Sequence, residues 1–163
     1  MSIPQSGGGT IEHYDQLVHY LCDGCKPKSE WKVGTEHEKF GFIKDTLKPI
    51  PYDGTRSVKS ILIGLQNKYG WEPIFEAGNI IGLAMGSANV SLEPGGQLEL
   101  SGAPLASIHE TCDEVNTHLS QVKNIADELG IGFIGLGAAP TWQHRDMPLM
   151  PKGRYRLMTD YMG

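Results

Sequence analysis

Apolar positions in the first half of the chain switch between two periods. Ile11, Tyr14, Leu17, Val18 and Leu21 recur at helical spacing, with Thr10 placed to cap the start, Gly24 to stop it and packing as the expected role. Residues 33–42 follow a different rule. Their Val and aromatic content suits a strand, in which side chains two residues apart share a face. Lys44 to Pro51, with two prolines, reads as a surface excursion into the turn Tyr52-Asp53-Gly54. A second helix, capped by Thr55 or Ser57, carries Val58, Ile61, Leu62, Leu65 and Tyr69 on one face and ends at Gly70.

From Trp71 to Ser101 the pattern is short apolar runs punctuated by glycine, as in antiparallel strands joined by tight turns. The runs are residues 71–75, 79–85 and 90–100. Pro104 then suits the first position of the longest helix, in which Leu105, Ile108, Cys112, Val115, Leu119, Val122, Ala126 and Leu129 repeat at three and four until Gly130. A helix laid across a sheet explains that stripe better than a dimer seam. Cys112 is then a small buried hydrophobe, and His109, Glu110, Asp113, Glu114, His118 and Glu128 fall on polar faces. Residues 131–137 form a short glycine-rich strand, residues 138–153 a loop rich in Met, Pro and His, and the chain closes in a helix with no final strand.

Composition narrows the class. The 163 residues form one domain in size, with a net charge of −5 and acids that are not gathered into a block. Neither a nucleic-acid footprint nor a polybasic membrane patch is present, and no apolar run approaches the ~20 residues of a membrane span. Small molecules are the partners expected. Residues 1–10 read as a disordered tail. Three cysteines without a secretory signal suggest reduced thiols and a cytoplasmic setting. The single Cys22-Asp23-Gly24-Cys25 argues neither for zinc nor for a redox dithiol.

The chemistry lies in two acidic stretches. Glu36 and Glu38 share a face of the first strand, and Phe40 and Phe42 continue that side toward an apolar interior. An isolated pair of this kind is most often a solvated edge. The second stretch, Ser91 to Ser101, changes that balance: Glu93, Gln97 and Glu99 share parity opposite Leu92, Leu98 and Leu100, with Pro94-Gly95-Gly96 free to bulge. Two strands with inward carboxylates form an oxygen-lined site of the kind that suits Mg2+. Lys152, Arg154 and Arg156 supply three cations within five residues, enough to hold an anion or merely to start a basic helix. The glycines of residues 131–137 do not fit a dinucleotide-binding fingerprint.

Three motifs together resemble one family. Gly34-Thr35-Glu36-His37-Glu38-Lys39-Phe40-Gly41-Phe42, Leu92-Glu93-Pro94-Gly95-Gly96-Gln97-Leu98-Glu99-Leu100-Ser101-Gly102-Ala103-Pro104-Leu105 and Met150-Pro151-Lys152-Gly153-Arg154-Tyr155 resemble the N-terminal part of glutamate-cysteine ligase (gamma-glutamylcysteine synthetase) of the plant and alphaproteobacterial type. The resemblance implies an α+β, glutamine-synthetase-like antiparallel sheet with helices packed on one side, of which residues 11–163 are an incomplete N-terminal part. It implies ATP and Mg2+ on one sheet face, and ligation of L-glutamate to L-cysteine through gamma-glutamyl phosphate, the first step toward glutathione. By motif, Glu36, Glu38, Glu93 and Glu99 are implied as metal ligands and Gln97 as a cofactor-side or substrate contact. Arg154 or Lys152 is implied as the partner of an anionic substrate group. A ligase with another acceptor amine, or a non-catalytic product associating through an open sheet edge, are the rival readings; oligomeric state is not encoded in any of these features.

Overall fold

A computed structural model describes residues 8–163 of the chain. In order these form α1 (Tyr14–Asp23), β1 (Glu36–Ile43), α2 (Val58–Tyr69), β2 (Glu72–Glu76), β3 (Asn79–Met85), β4 (Ala88–Glu93), β5 (Gln97–Ser101), α3 (Ile108–Leu129), β6 (Ile131–Ile134) and α4 (Gly153–Met162). The strands make one antiparallel sheet in the order β2-β3-β4-β5-β1-β6. Helices α2 and α3 cover one face. Val58, Ile61, Leu62 and Leu65 of α2 and Val122, Ile125 and Ala126 of α3 close a core with Leu83, Val90, Leu92, Leu98 and Leu100 of the sheet. Each of those leucines stabilises the fold by roughly 1.5–3 kcal/mol on burial. Because strand side chains alternate, the same leucines turn Ser91, Glu93 and Glu99 to the other face.

The α+β class, the antiparallel sheet and the helices on one side are as expected. Ser57 caps α2 by accepting from the Ser60 N–H at 3.1 Å, and Gly70 ends it at φ 75°. No described helix is long and apolar enough to cross a membrane. Of the expected tail, residues 1–7 lie outside the described residues, and residues 8–10 carry no regular structure.

Several local expectations are corrected. Residues 90–100 are not one strand but a hairpin: Pro94–Gly96 make a 3-10 turn, with Gly95 at φ 74° and Gly96 at φ 80°, and Glu93 faces Gln97 across its closing pair. Only glycine adopts two such values in succession at little cost. Helix α1 starts after His13 rather than Thr10, where the Gln16 side chain accepts from the N–H groups of Glu12 and His13. None of its residues is buried, so the packing expected of Tyr14, Leu17, Val18 and Leu21 is absent among the described residues.

The longest helix starts at Ile108, not Pro104. Ser107 and Glu110 form a reciprocal cap, Glu110 accepting from the Ser107 N–H at 2.8 Å and Ser107 Oγ from the Glu110 N–H at 3.3 Å. Leu105 is left to bridge Val33. The buried line of α3 runs through Thr111, His118, Val122, Ile125 and Ala126; it keeps Val122 and Ala126 of the apolar stripe, takes Thr111 and His118 in place of their stripe neighbours Cys112 and Leu119, and adds Ile125. Cys112 is therefore exposed and His118 buried, the reverse of what the stripe suggests.

Candidate functional site

The register of β1 against β5 puts Glu38 directly opposite Glu99 and Glu36 opposite Ser101. The next ladder puts Ser91 of β4 beside Glu99, and Gly82 of β3 beside Ser91. One row across the sheet is thus Gly82, Ser91, Glu99 and Glu38, on the face that α2 and α3 leave uncovered. Glu93 and Gln97 form the adjacent row of that face, about 7 Å along the strands. All four expected acids therefore share one surface, although Glu93 and Glu99 reach it from two strands rather than one.

Their surroundings differ. Glu36 and Glu38 are exposed, whereas Glu93 and Glu99 are buried. Burial and then repulsion from Glu99, Glu93 and Glu36 push the Glu38 carboxyl above its ordinary value. Ser101 Oγ donates to Glu99 Oε1 at 3.1 Å. Ser91 Oγ lies 3.0 Å from Glu99 Oε2 and 3.3 Å from Glu93 Oε1, so one hydroxyl proton bridges the two acids.

Behind this face, Lys39 is 2% exposed. Its Nζ lies 3.4 Å from the Leu98 carbonyl, 3.5 Å from the His37 carbonyl and 3.3 Å from His37 Nδ1. Those carbonyls belong to the residues just before Glu99 and Glu38. Burial lowers the Lys39 ammonium to about 8, with Glu99 opposing the shift. His118 of α3 is also buried, both its ring nitrogens lack a hydrogen-bond partner among the described residues, and burial, then Lys39 and His37, lower it to about 3.

The C-terminal cations reach the acidic face through the loop that precedes them. Trp142 packs edge-on to Phe40 at 5.6 Å between ring centroids and donates to the Leu47 carbonyl at 2.8 Å. Phe40, itself buried, thus packs against this loop. Lys152, 3% exposed, donates to the Leu92 carbonyl at 2.6 Å and lies 3.7 Å from Glu93 Oε1. Arg154 Nη2 donates to Glu93 Oε2 at 3.0 Å, and its guanidinium lies over the Tyr155 ring at 5.1 Å. The structure therefore brings Lys152 and Arg154 to Glu93, with Glu99 close enough to act on both electrostatically.

Among the described residues no three His, Cys, Asp or Glu side chains form a ready metal cluster. Sequence reasoning missed Ser91, Lys39 and Tyr155. Ser91 had a signal, its parity with Glu93; Lys39 and Tyr155 had none, because their partners lie 59 and 63 residues away in the chain.

A family model described as glutamate-cysteine ligase family 2 (GCS2) matches residues 32–163. Glutamate-cysteine ligase A, chloroplastic, of Oryza sativa subsp. japonica is 56% identical over 148 residues, 91% of this chain and 30% of that protein. The chloroplastic glutamate-cysteine ligases of Medicago truncatula and Nicotiana tabacum are 52% and 53% identical, each with 28% of its length covered. The chain thus spans less than a third of these relatives. These relatives are named chloroplastic, which overturns the expectation of a cytoplasmic setting. Cysteine parity does not distinguish the two compartments.

Proposed function

This chain belongs to glutamate-cysteine ligase family 2, and we propose that it supplies the metal-binding strands for ATP-dependent joining of L-glutamate to L-cysteine. The observation that carries this reading is the pairing of Glu38 with Glu99, with Glu36 two residues along, on the sheet face opposite α2 and α3. The donor set fits Mg2+ in kind. Its oxygens are hard, and the repulsion that raises the Glu38 carboxyl is relieved by a divalent cation. Mg2+ is usually held by one or two carboxylates, waters and substrate phosphates, so it does not require three converged acids.

Glu38 and Glu99 would hold the ion, with Glu36 beside them, and the ion when bound would neutralise triphosphate oxygens and align the phosphoryl group. Ser91 and Ser101 orient Glu99. Gln97, half-buried in the row beside it, would contact nucleotide or substrate from this face. In the proposed reaction an oxygen of the glutamate γ-carboxylate bonds to the terminal phosphorus of ATP and ADP leaves. The cysteine nitrogen then bonds to the acyl carbon, losing a proton as phosphate departs. Holding the reactants in line supplies much of the acceleration.

The test is a Mg2+ titration of the 163-residue protein by calorimetry, with and without ATP. Glu38→Gln and Glu99→Gln should each weaken binding by at least about tenfold, a loss typical even of outer-sphere partners of a metal. Affinity equal to wild type in both variants would sink the metal assignment. ADP release requiring Mg2+, ATP, L-glutamate and L-cysteine together would support the full reaction; release with other amines in place of cysteine would assign a different acceptor. Because the chain spans less than a third of its relatives, a second reading is metal and nucleotide binding without turnover, which Mg2+ binding without ADP release would favour.

A further inference from the structure

The ladder that sets Glu38 against Glu99 ends in an irregularity that β1 and β5 do not hold by themselves. Regular pairing runs from Lys39 and Leu98 out to Glu36 and Ser101, and continues to the Gly102 N–H, which donates to the Thr35 carbonyl at 2.7 Å. Beyond it, Val33 pairs with Leu105, and the two exchange backbone hydrogen bonds of 2.8 Å each. Gly34 alone therefore faces both Ala103 and Pro104. The second strand carries one extra residue here, in the manner of a β-bulge. Proline has no N–H to give, and the Ala103 N–H donates not to β1 but to Glu114 Oε1 of α3, at 2.8 Å.

Glu114 is fitted closely into this bend. A Cβ at Gly102 would overlap Glu114 Oε2 and come within 3.3 Å of Thr35 Cβ, so the carboxylate occupies space that exists because residue 102 has no side chain. Glu114 Oε2 is itself buried. Two residues before Ala103, Ser101 stands opposite Glu36, and its Oγ donates to Glu99 Oε1 at 3.1 Å. The bulge that Glu114 holds thus adjoins the residue that orients Glu99.

We infer that Glu114 is a positioning residue for the acidic face: by holding the Ala103 N–H it keeps the extra residue at Ala103–Pro104, outside the ladder, and so fixes the register of Glu36 with Ser101 and of Glu38 with Glu99. The inference rests on the metal reading of Glu38 and Glu99. Its physical basis is the two-residue period of a strand, which makes the facing of every side chain depend on register. Migration of the extra residue inward past Ser101 would set Glu36 against Gly102, and migration past Glu99 would set Glu38 against Leu100. Either slip dismantles the opposed carboxylates without touching one of them.

Two readouts on the 163-residue protein test this. In a calorimetric titration Glu114→Ala should weaken Mg2+ binding by about tenfold, the loss typical of a residue that orients metal ligands. Glu114→Gln, whose amide oxygen still accepts from Ala103, should stay within about threefold of wild type. Gly102→Ala reaches the same state from the other side. Gly102 does not have a positive φ, so alanine suits its backbone, and the added methyl displaces the Glu114 carboxylate, the movable end of a flexible side chain. It should match Glu114→Ala, and the double variant should bind no more weakly than either single one, because both remove one shared interaction. Gly102→Ala also serves if Glu114→Ala fails to fold. Ser57→Ala, which removes the cap of α2, is the control for lost stability alone and should leave Mg2+ affinity unchanged. In amide hydrogen exchange the Ala103 N–H should exchange faster in Glu114→Ala than in wild type, with protection restored in Glu114→Gln.

Mg2+ affinity in Glu114→Ala equal to wild type while Glu99→Gln loses it, a loss matched by Ser57→Ala, or unchanged exchange at Ala103 would each overturn the inference. Equal Mg2+ affinity in wild type and Glu99→Gln would instead overturn the metal reading beneath it, and exchange at Ala103 would then decide whether Glu114 holds the bulge.

Discussion

Glu38 and Glu99 stand directly opposite each other on β1 and β5, an arrangement of like charges that a sheet disfavours. The cost is visible at Glu38, whose carboxyl is raised by burial and by its acidic neighbours. Such a pair is tolerated where a ligand resolves it, and metal-free stability is then sacrificed for binding.

Glu38→Gln should accordingly stabilise the metal-free protein while weakening Mg2+ binding. Removing one of two opposed charges is worth about 0.5 kcal/mol at so exposed a position. The pH dependence has a definite sign. With a folded value above the unfolded one, the contribution of Glu38 is present at acid pH and lost as pH rises through the folded value. Melting curves of wild type and variant should therefore converge in acid and separate toward neutrality, and Mg2+ should reduce the separation.

His118 buries two ring nitrogens that have no partner among the described residues, at a cost of about 1–3 kcal/mol. His118→Leu should raise the melting temperature by a few degrees at neutral pH. Because the folded imidazole titrates at about 3 and the unfolded one near 6.5, folding stability is lost as pH falls between those values, by on the order of 5 kcal/mol. Denaturant unfolding at pH 7 and pH 4.5 should show a smaller acid loss in the variant than in wild type. An equal loss would place the titration elsewhere.

Gly82 lies in the same row as Glu38 and Glu99, and a Cβ there would meet the Val90 carbonyl oxygen at 2.8 Å. That neighbour is strand backbone and has little room to yield. Gly82→Ala should cost about 1–3 kcal/mol by denaturant unfolding, and by shifting β4 it should also weaken Mg2+ binding at Glu99. Unchanged stability would mean that β3 and β4 separate freely at this point.

Ser107 and Glu110 together define where α3 begins. Ser107→Ala should destabilise the protein by about 1 kcal/mol, read as a lower denaturant midpoint with an unchanged slope. The site residues sit on other elements, so Mg2+ affinity should not follow the loss.

Much of this molecule is written in local signals. The stops at Gly70 and Gly130, the cap at Ser57, the alternation that sends Leu98 and Leu100 one way and Glu99 the other, and the three long motifs were all legible from neighbours within a few residues, because helix ends and strand parity are short-range properties. Long-range packing decided the rest. The fold of residues 90–100 into a hairpin, the confrontation of Glu38 with Glu99, the arrival of Lys152 and Arg154 at Glu93 from about 60 residues away, and the burial of polar Thr111 and His118 under α3 all depend on which surfaces meet. The amino-acid order alone determined which residues share a face. Tertiary structure decided which of those acids remain open to a cation and which one is already held by two positive charges, because ladder register and loop placement are set by burial summed over the whole core.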